Sequence, residues 1–171
     1  MSSAIRVLVM DVDGVLTDGG IYHGSEGMEL KRFHVQDGMG ITLALRAGII
    51  PAIITVRESE AVRRRAEDLK IEEVHQGVVR KWECLEEILK RHGVAAEETA
   101  YVGDDLVDLP VMCRVGLPIA VANAAEEVKR EAKWVTMQRG GHGAVREAVE
   151  MILEHDGKWE EVVNDLLTEL S

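Results

Sequence analysis

The stretch Ile5-Arg6-Val7-Leu8-Val9-Met10-Asp11-Val12-Asp13-Gly14-Val15-Leu16-Thr17-Asp18-Gly19 decides how this chain is read. Its first six residues form an apolar run of strand length, and two carboxylates spaced two apart follow at once. Open α/β sheets bind their ligands outside the carboxyl ends of the strands, so a strand over 5–10 delivers Asp11 and Asp13 to such a rim. A carboxylate there can attack phosphorus and become an aspartyl-phosphate. Its neighbour can protonate the leaving group and later take a proton from water. Taken alone, the motif describes a turn or a helix cap equally well, since Asp and Gly are common turn residues.

Working outward, strand-like runs recur at 50–55, 99–103 and 117–121, with a weaker one near 72–75. Between them lie helical patterns: Val62, Ala66 and Leu69 within 58–69, and Trp82, Leu85, Ile88 and Leu89 within 80–92. This spacing makes Trp82 a core residue rather than a binding platform. The alternation predicts an α/β domain with a doubly wound, mostly parallel sheet covered by helices on both faces. Residues 18–36 break the rhythm, alternating apolar and polar residues around Gly24 and Gly27, and read as a β-hairpin inserted after the first strand. A hairpin this small cannot cap a site alone, and self-association would cover its edges. Near the C-terminus, Arg139-Gly140-Gly141-His142-Gly143 leads into a helical pattern with Val145, Val149 and Ile152, followed by a polar tail over 155–171. That glycine loop reads either as an anion cradle or, more ordinarily, as a flexible connection.

Three later segments supply what a phosphoryl-transfer site requires. Thr55 closes the run Ile50-Pro51-Ala52-Ile53-Ile54, so its hydroxyl and the amides after it face the rim that carries Asp11, as an anion cradle, a helix N-cap or both. Lys81 opens a helix, the end at which a positive charge is disfavoured. It is either an ordinary surface lysine or a point charge that offsets carboxylate and phosphate. Gly103-Asp104-Asp105-Leu106-Val107-Asp108 again places acids at the end of a strand. Hard oxygen ligands suit Mg²⁺, which Asp11, Asp104 and the backbone carbonyl of Asp13 could hold with waters. Asp105 and Asp108 would then cap the helix that follows.

Composition bounds these readings. A chain of 171 residues with 46% hydrophobic content fits one globular domain with a proper core. Its formal net charge of −11 argues against a nucleic-acid or membrane-surface partner, so an anionic substrate requires a metal or a local Lys/Arg cluster. Cys84 and Cys113 lie in helical segments without metal-binding spacing, and no leader or membrane-length apolar run is visible. The expectation is a soluble, cytoplasmic protein without disulfides.

The ordered set Asp11-x-Asp13-Gly-Val-Leu-Thr, Thr55, Lys81 and Gly103-Asp104-Asp105-x-x-Asp108 resembles the haloacid dehalogenase superfamily of aspartyl-phosphate phosphatases. Further segments, Phe33-His34-Val35-Gln36-Asp37-Gly38, Asp108-Leu109-Pro110, Ala120-Val121-Ala122-Asn123-Ala124 and Gly140-Gly141-x-Gly143-Ala144-Val145-Arg146-Glu147, are similar to its capless branch, which contains the 3-deoxy-D-manno-octulosonate 8-phosphate phosphatases. The resemblance implies a Rossmann-like fold with no separate cap domain, a Mg²⁺ cofactor and a sugar-phosphate substrate of lipopolysaccharide biosynthesis. Asp11, Asp13, Thr55 and Lys81 would be catalytic, and Asp11, Asp13 and Asp104 would hold metal. It also implies a homotetramer whose hairpins form a central barrel and whose neighbouring subunit helps to close each site. On the same grounds His34, Val35, Gln36, Asp37, Gly38, Thr42, Arg57 and Arg65 would meet the sugar, with Arg65 reaching from the adjoining subunit. At least two of the three arginines Arg63-Arg64-Arg65 would remain a solvated helix face. The chain departs from the branch at Val56, where Gly is usual and a β-branched residue resists positive φ, and at Thr42, where many relatives carry a basic side chain.

Two neighbouring readings are distinguishable in principle. A phosphatase for the 9-phosphate of a nine-carbon ulosonate differs only in its sugar. A phospho-accepting receiver domain also combines acids, Thr and Lys around Mg²⁺, but places its acidic pair after the first strand and its acceptor Asp in mid-chain, the reverse of the order here.

Overall fold

Val7, Leu8, Val9 and Met10 are fully buried because their strand, β1 (Val7–Met10), lies in the middle of a sheet with neighbours on both sides. In the computed structural model, which describes residues 4–171, β1 pairs in parallel with β4 (Ile50–Ile54) on one side and β6 (Thr99–Gly103) on the other. Beyond β4 lies β5 (Glu73–His75), and beyond β6 lie β7 (Leu117–Ala120) and β8 (Trp134–Val135), giving the order β5-β4-β1-β6-β7-β8 with every pairing parallel. The winding direction reverses at β1. The crevice above its carboxyl end is therefore the topological switch point, the place where doubly wound sheets bind ligands. The expected strand runs coincide with β1, β4, β5, β6 and β7. The two-residue edge strand β8 lies outside them.

Residues 18–36 contain the antiparallel pair β2 (Tyr22–His23) and β3 (Glu29–Leu30), with Tyr22 opposite Leu30 and His23 opposite Glu29. An isolated bridge between Thr17 and Phe33 closes the base of this hairpin. The helices are α1 (Val35–Arg46), α2 (Glu60–Asp68), α3 (Lys81–His92), α4 (Leu109–Met112), α5 (Glu126–Glu131), α6 (Ala144–His155) and α7 (Trp159–Leu170). Helices α1 and α6 pack on each other, and one continuous apolar cluster joins the strands to α1, α2, α3 and α6. Among the described residues no helix is long and apolar enough to cross a membrane.

Two expectations are corrected. The segment read as a polar tail over 155–171 is mostly α7. Trp159, Val162, Val163, Leu166, Leu167 and Leu170 recur at helical spacing; Val162 is buried, and Trp159 and Leu166 pack against the core. An ion pair from Arg46 to Glu169 and a bond from the Ile5 amide to Asp156 Oδ2 (3.0 Å) fasten this end of the chain. The glycine loop is no loose connection either. Gly140 and Gly141 are buried, and a Cβ on Gly140 would fall 1.6 Å from the Gly14 carbonyl oxygen. The Gly141 amide donates to Val15 (2.9 Å) and the Asn123 side chain accepts from the Gly140 amide (3.0 Å). The loop thus buttresses the turn that follows β1.

Candidate active site

Asp11 follows β1 directly, its amide bonded to the Val102 carbonyl of β6 at 3.1 Å, so its carboxylate emerges between the two central strands. The turn after it places Asp13 in extended conformation and Gly14 at φ +92, which only glycine adopts without strain. Space imposes the same choice: a Cβ on Gly14 would sit 2.0 Å from Asp104 Oδ2. The loop backbone therefore lies directly on the acid supplied by β6.

Lys81, the first residue of α3, is 2% exposed, and its Nζ lies 2.8 Å from Asp11 Oδ1, 2.8 Å from Asp108 Oδ1 and 3.2 Å from the Tyr101 hydroxyl. The surface-lysine alternative is thereby excluded. Burial pulls the ammonium toward its neutral form, but Asp11 and Asp108 outweigh that pull and hold its pKa above the ordinary lysine value. Asp108 is fully buried. Its Oδ1 also accepts from the Tyr101 hydroxyl (2.6 Å), and its Oδ2 accepts from the amides of Asp104 (2.9 Å) and Asp105 (3.3 Å). The expectation that Asp108 merely caps a helix is thus incomplete, because the same carboxylate also anchors Lys81. Asp105 does cap, accepting from the Leu106 amide at 2.8 Å.

Three carboxylates, Asp11, Asp104 and Asp108, bring one oxygen each within 4.8 Å of one another, with a single ammonium among them. Burial, followed by repulsion from Asp11 and Asp108, pushes Asp104 up to about 8. Burial also raises Asp11 to about 6 against the opposing pull of Lys81. Asp104 Oδ1 is buried without a hydrogen-bond partner. An under-compensated cluster of hard oxygens with an orphaned buried acceptor fits a divalent cation. Both oxygens of Asp108 already have donors, which leaves Asp11 and Asp104 free to hold the ion. The Asp13 carboxylate lines the cavity and accepts from Lys31 (2.6 Å), which leaves its backbone carbonyl for a metal.

A cavity of about 220 Å³ opens over this cluster, lined by Asp11, Asp13, Thr55, Val56, Arg57, Asp104, Asp105 and Val107. Thr55 is buried, its amide and carbonyl tied to His75 (2.9 Å) and Val78 (3.0 Å). Helix α2 starts five residues later, so Thr55 is no N-cap and its hydroxyl belongs to the cavity wall. Val56 keeps a negative φ, the unstrained backbone expected at that departure.

The remaining sugar-site candidates do not line this cavity within one chain. His34 caps α1, its Nδ1 accepting from the Gln36 amide at 3.3 Å, while Val35 and Gln36 face solvent. Asp37 is buried; its Oδ1 accepts from the Arg146 amide (2.9 Å), so it caps the start of α6 across the helix pair, while its Oδ2 has no hydrogen-bond partner. Gly38 lets Arg65 approach; a Cβ there would meet Arg65 Nη2 at 2.5 Å. Thr42 donates its hydroxyl to the Gly38 carbonyl (3.1 Å). Arg65 bonds the His34 carbonyl of its own chain (3.3 Å) and lies 5.8 Å from the Phe33 ring centroid. Arg63 and Arg64 are solvated and paired with Glu60. Sequence reasoning missed Tyr101 and Lys31. Tyr101 reads as one more apolar strand residue and Lys31 as an exposed hairpin position, and neither carries a local signal of its inward direction.

Fold, switch-point acids and buried lysine together fit a phosphoric monoester hydrolase. The family model for haloacid dehalogenase-like hydrolases matches residues 61–147. The chain is 47% identical over 157 residues to 3-deoxy-D-manno-octulosonate 8-phosphate phosphatase of Escherichia coli strain K12, covering 92% of this chain and 84% of that protein. The crystal structure of the phosphatase of the same name from Yersinia pestis superposes with a TM-score of 0.90 at 45% identity, covering 91% of this chain and 84% of that one. The Moraxella catarrhalis phosphatase, solved with a magnesium ion, a phosphate ion and a KDO molecule, gives 0.92 at 41% identity over 95% and 93% of the two chains. The chain belongs to the haloacid dehalogenase-like hydrolases, in the branch of the 3-deoxy-D-manno-octulosonate 8-phosphate phosphatases.

Proposed function

We propose that this protein is a Mg²⁺-dependent phosphatase that hydrolyses 3-deoxy-D-manno-octulosonate 8-phosphate, a lipopolysaccharide precursor, through an aspartyl-phosphate on Asp11. The observation that carries the reading is Lys81, buried and shared at 2.8 Å between Asp11 and Asp108 beside the unpartnered oxygen of Asp104. Lys81 offsets the charge of the nucleophile and of the incoming phosphate, which would otherwise repel each other. Asp11 attacks phosphorus; the ester P–O bond breaks, and the departing oxygen takes a proton from Asp13. Water then attacks the phosphorus and gives its proton to Asp13, and the bond between phosphorus and Asp11 breaks. Thr55, in the cavity wall, would hold the phosphate through its hydroxyl. Asp11, Asp104 and the Asp13 carbonyl would hold Mg²⁺, which when bound supplies charge neutralisation at the phosphoryl oxygens.

Arg57 lines the cavity and supplies positive charge for the acidic sugar phosphate. We assign His34, Val35, Gln36, Gly38 and Arg65 to sugar recognition between neighbouring copies, with Asp37 and Thr42 fixing that segment. The assembly is a homotetramer built on the hairpin, a reading supported by the exposed apolar side chains of Ile21, Tyr22, Met28 and Leu30 along it. We place the protein in the cytoplasm, where such sugar phosphates are made.

Phosphate release from the eight-carbon and nine-carbon sugar phosphates, with and without Mg²⁺, tests the proposal. The expected result is Mg²⁺-dependent turnover that favours the eight-carbon ester. Faster release from the nine-carbon ester would reassign the substrate, and turnover indifferent to chelation would overturn the metal.

A further inference from the structure

Four charged side chains close a ring at the mouth of the cavity. Lys31 Nζ lies 2.6 Å from Asp13 Oδ1 and 3.4 Å from Glu29 Oε1. Arg57 completes the circuit, with Nη2 2.9 Å from Glu29 Oε2 and Nε 3.9 Å from Asp13 Oδ2. The signs alternate around the ring, and its members come from the turn after β1, from the second strand of the hairpin with the residue after it, and from the loop after β4. The Lys31 side chain is 2% exposed, whereas a lysine ordinarily keeps its ammonium in water. An ammonium this far from solvent depends on its carboxylates, so the Lys31–Asp13 contact is built into the fold rather than a passing surface pair.

Among the described residues, the hydrogen bond to the Asp13 carboxylate comes from Lys31. The aim of that carboxylate matters, because proton transfer requires the acid within hydrogen-bond reach of the departing oxygen, and small errors of placement are costly. We propose that Lys31 is a positioning residue for Asp13: carried on the hairpin, it aims the Asp13 carboxyl at the ester oxygen, which makes the hairpin part of proton delivery and not only a cover. The proposal rests on the reading of Asp13 as the proton donor. Glu29 and Arg57 hold Lys31 in place from the far side of the ring, and through them the seating of the hairpin is tied to the orientation of the acid.

The leaving group tests this. The sugar phosphate must expel an alkoxide, which needs a proton, whereas p-nitrophenyl phosphate expels a stable phenolate, and kcat/KM for each reports the steps through phosphorylation of Asp11. Lys31→Met is expected to lower kcat/KM by about 30-fold or more on the sugar phosphate and by about threefold or less on the aryl ester, a part of the range general acids contribute. Lys31→Arg keeps the charge and the donor and should close most of that gap. An equal fall on both esters would mean that Lys31 is merely structural and would overturn the proposal. Asp13→Asn on the same two esters separates the failures: equal losses there would sink the proton-donor reading and the proposal with it. A gap for Asp13→Asn without one for Lys31→Met would sink Lys31 alone. If Lys31→Met does not fold, Glu29→Gln reads the same ratio, with a smaller gap expected and no gap overturning the proposal.

Discussion

The two ends of helix α3 meet carboxylates in opposite ways. At its C-terminus, Arg91 and His92 reach Glu73 of edge strand β5 (3.2 and 2.7 Å), and His75 joins them at 2.7 Å. One acid has three partners, Arg91 stands where the helix dipole favours positive charge, and Glu73 sits below its usual pKa: burial raises it, but the bonds from His75 and His92 prevail. At the N-terminus, Lys81 stands against the dipole and serves two acids, with a third beside them whose Oδ1 has no partner. The first end is satisfied as it is. The second is short of positive charge, and a phosphatase fills that shortage with its metal.

The largest way to break this contrast is Asp11→Asn, which preserves shape and removes the proposed nucleophile. Phosphate release should fall by at least about 10⁴-fold, as when other nucleophiles are deleted, while the circular dichroism spectrum is unchanged. Next comes Lys81→Met, which strands Asp11 and Asp108 in the interior. Urea unfolding of the metal-free protein should show a loss of about 3–5 kcal/mol, the range for breaking a buried pair from one side. Arg91→Met, at the other end of the same helix, should cost no more than about 1 kcal/mol and leave turnover alone, since its partner keeps two histidines and the arginine is half exposed. Comparable losses at the two ends would contradict the contrast.

A pH series sharpens it further. Asp11 and Asp104 titrate near 6 and 8 in the folded chain, against an ordinary value of 3.8, so between these limits the folded state holds protons that the unfolded state has released. Stability contributed at this site must therefore fall as pH rises from about 4 to about 8 in the metal-free protein. The cation binds the ionised acids, so the rise in Tm on adding Mg²⁺ should be larger at about pH 8.5 than at about pH 6. Asp104→Asn should flatten both trends. Glu73 has the opposite sign: its contribution is present above 4.5 and lost as pH falls through its lower folded value, so acid should weaken the β5 end first.

What was legible in the sequence follows the same division between satisfied and unsatisfied groups. Five of the six sheet strands, their parallel direction and the convergence of Asp11, Thr55, Lys81 and Asp104 were readable, because apolar runs fix strands and the switch point fixes the rim. The direction of individual polar side chains was not. Asp108 has the spacing of a helix cap, and only the fold shows it buried under Lys81. Asp37 was expected to meet the sugar, yet it caps a helix more than 100 residues away, a partner no local pattern reveals. Lys31 alternates like a solvent-facing hairpin residue. Gly140 and Gly141 look like a hinge because small residues suit both flexibility and close packing, and only the nearby Gly14 carbonyl decides between them. Helix α7 is different: its apolar spacing from Trp159 to Leu170 was visible, but the acidic residues between obscured it.

The central claim, that Asp11 accepts the phosphoryl group beside a cation it shares with Asp104, is tested most directly by a crystal structure with Mg²⁺ and beryllofluoride, a mimic of the phosphoryl group. Density should run continuously from the Asp11 carboxylate to beryllium, with the Mg²⁺ about 2.1 Å from oxygens of Asp11 and Asp104 and Lys81 against the fluorides. Beryllofluoride on another side chain, or an ion held without Asp11 and Asp104, would contradict it.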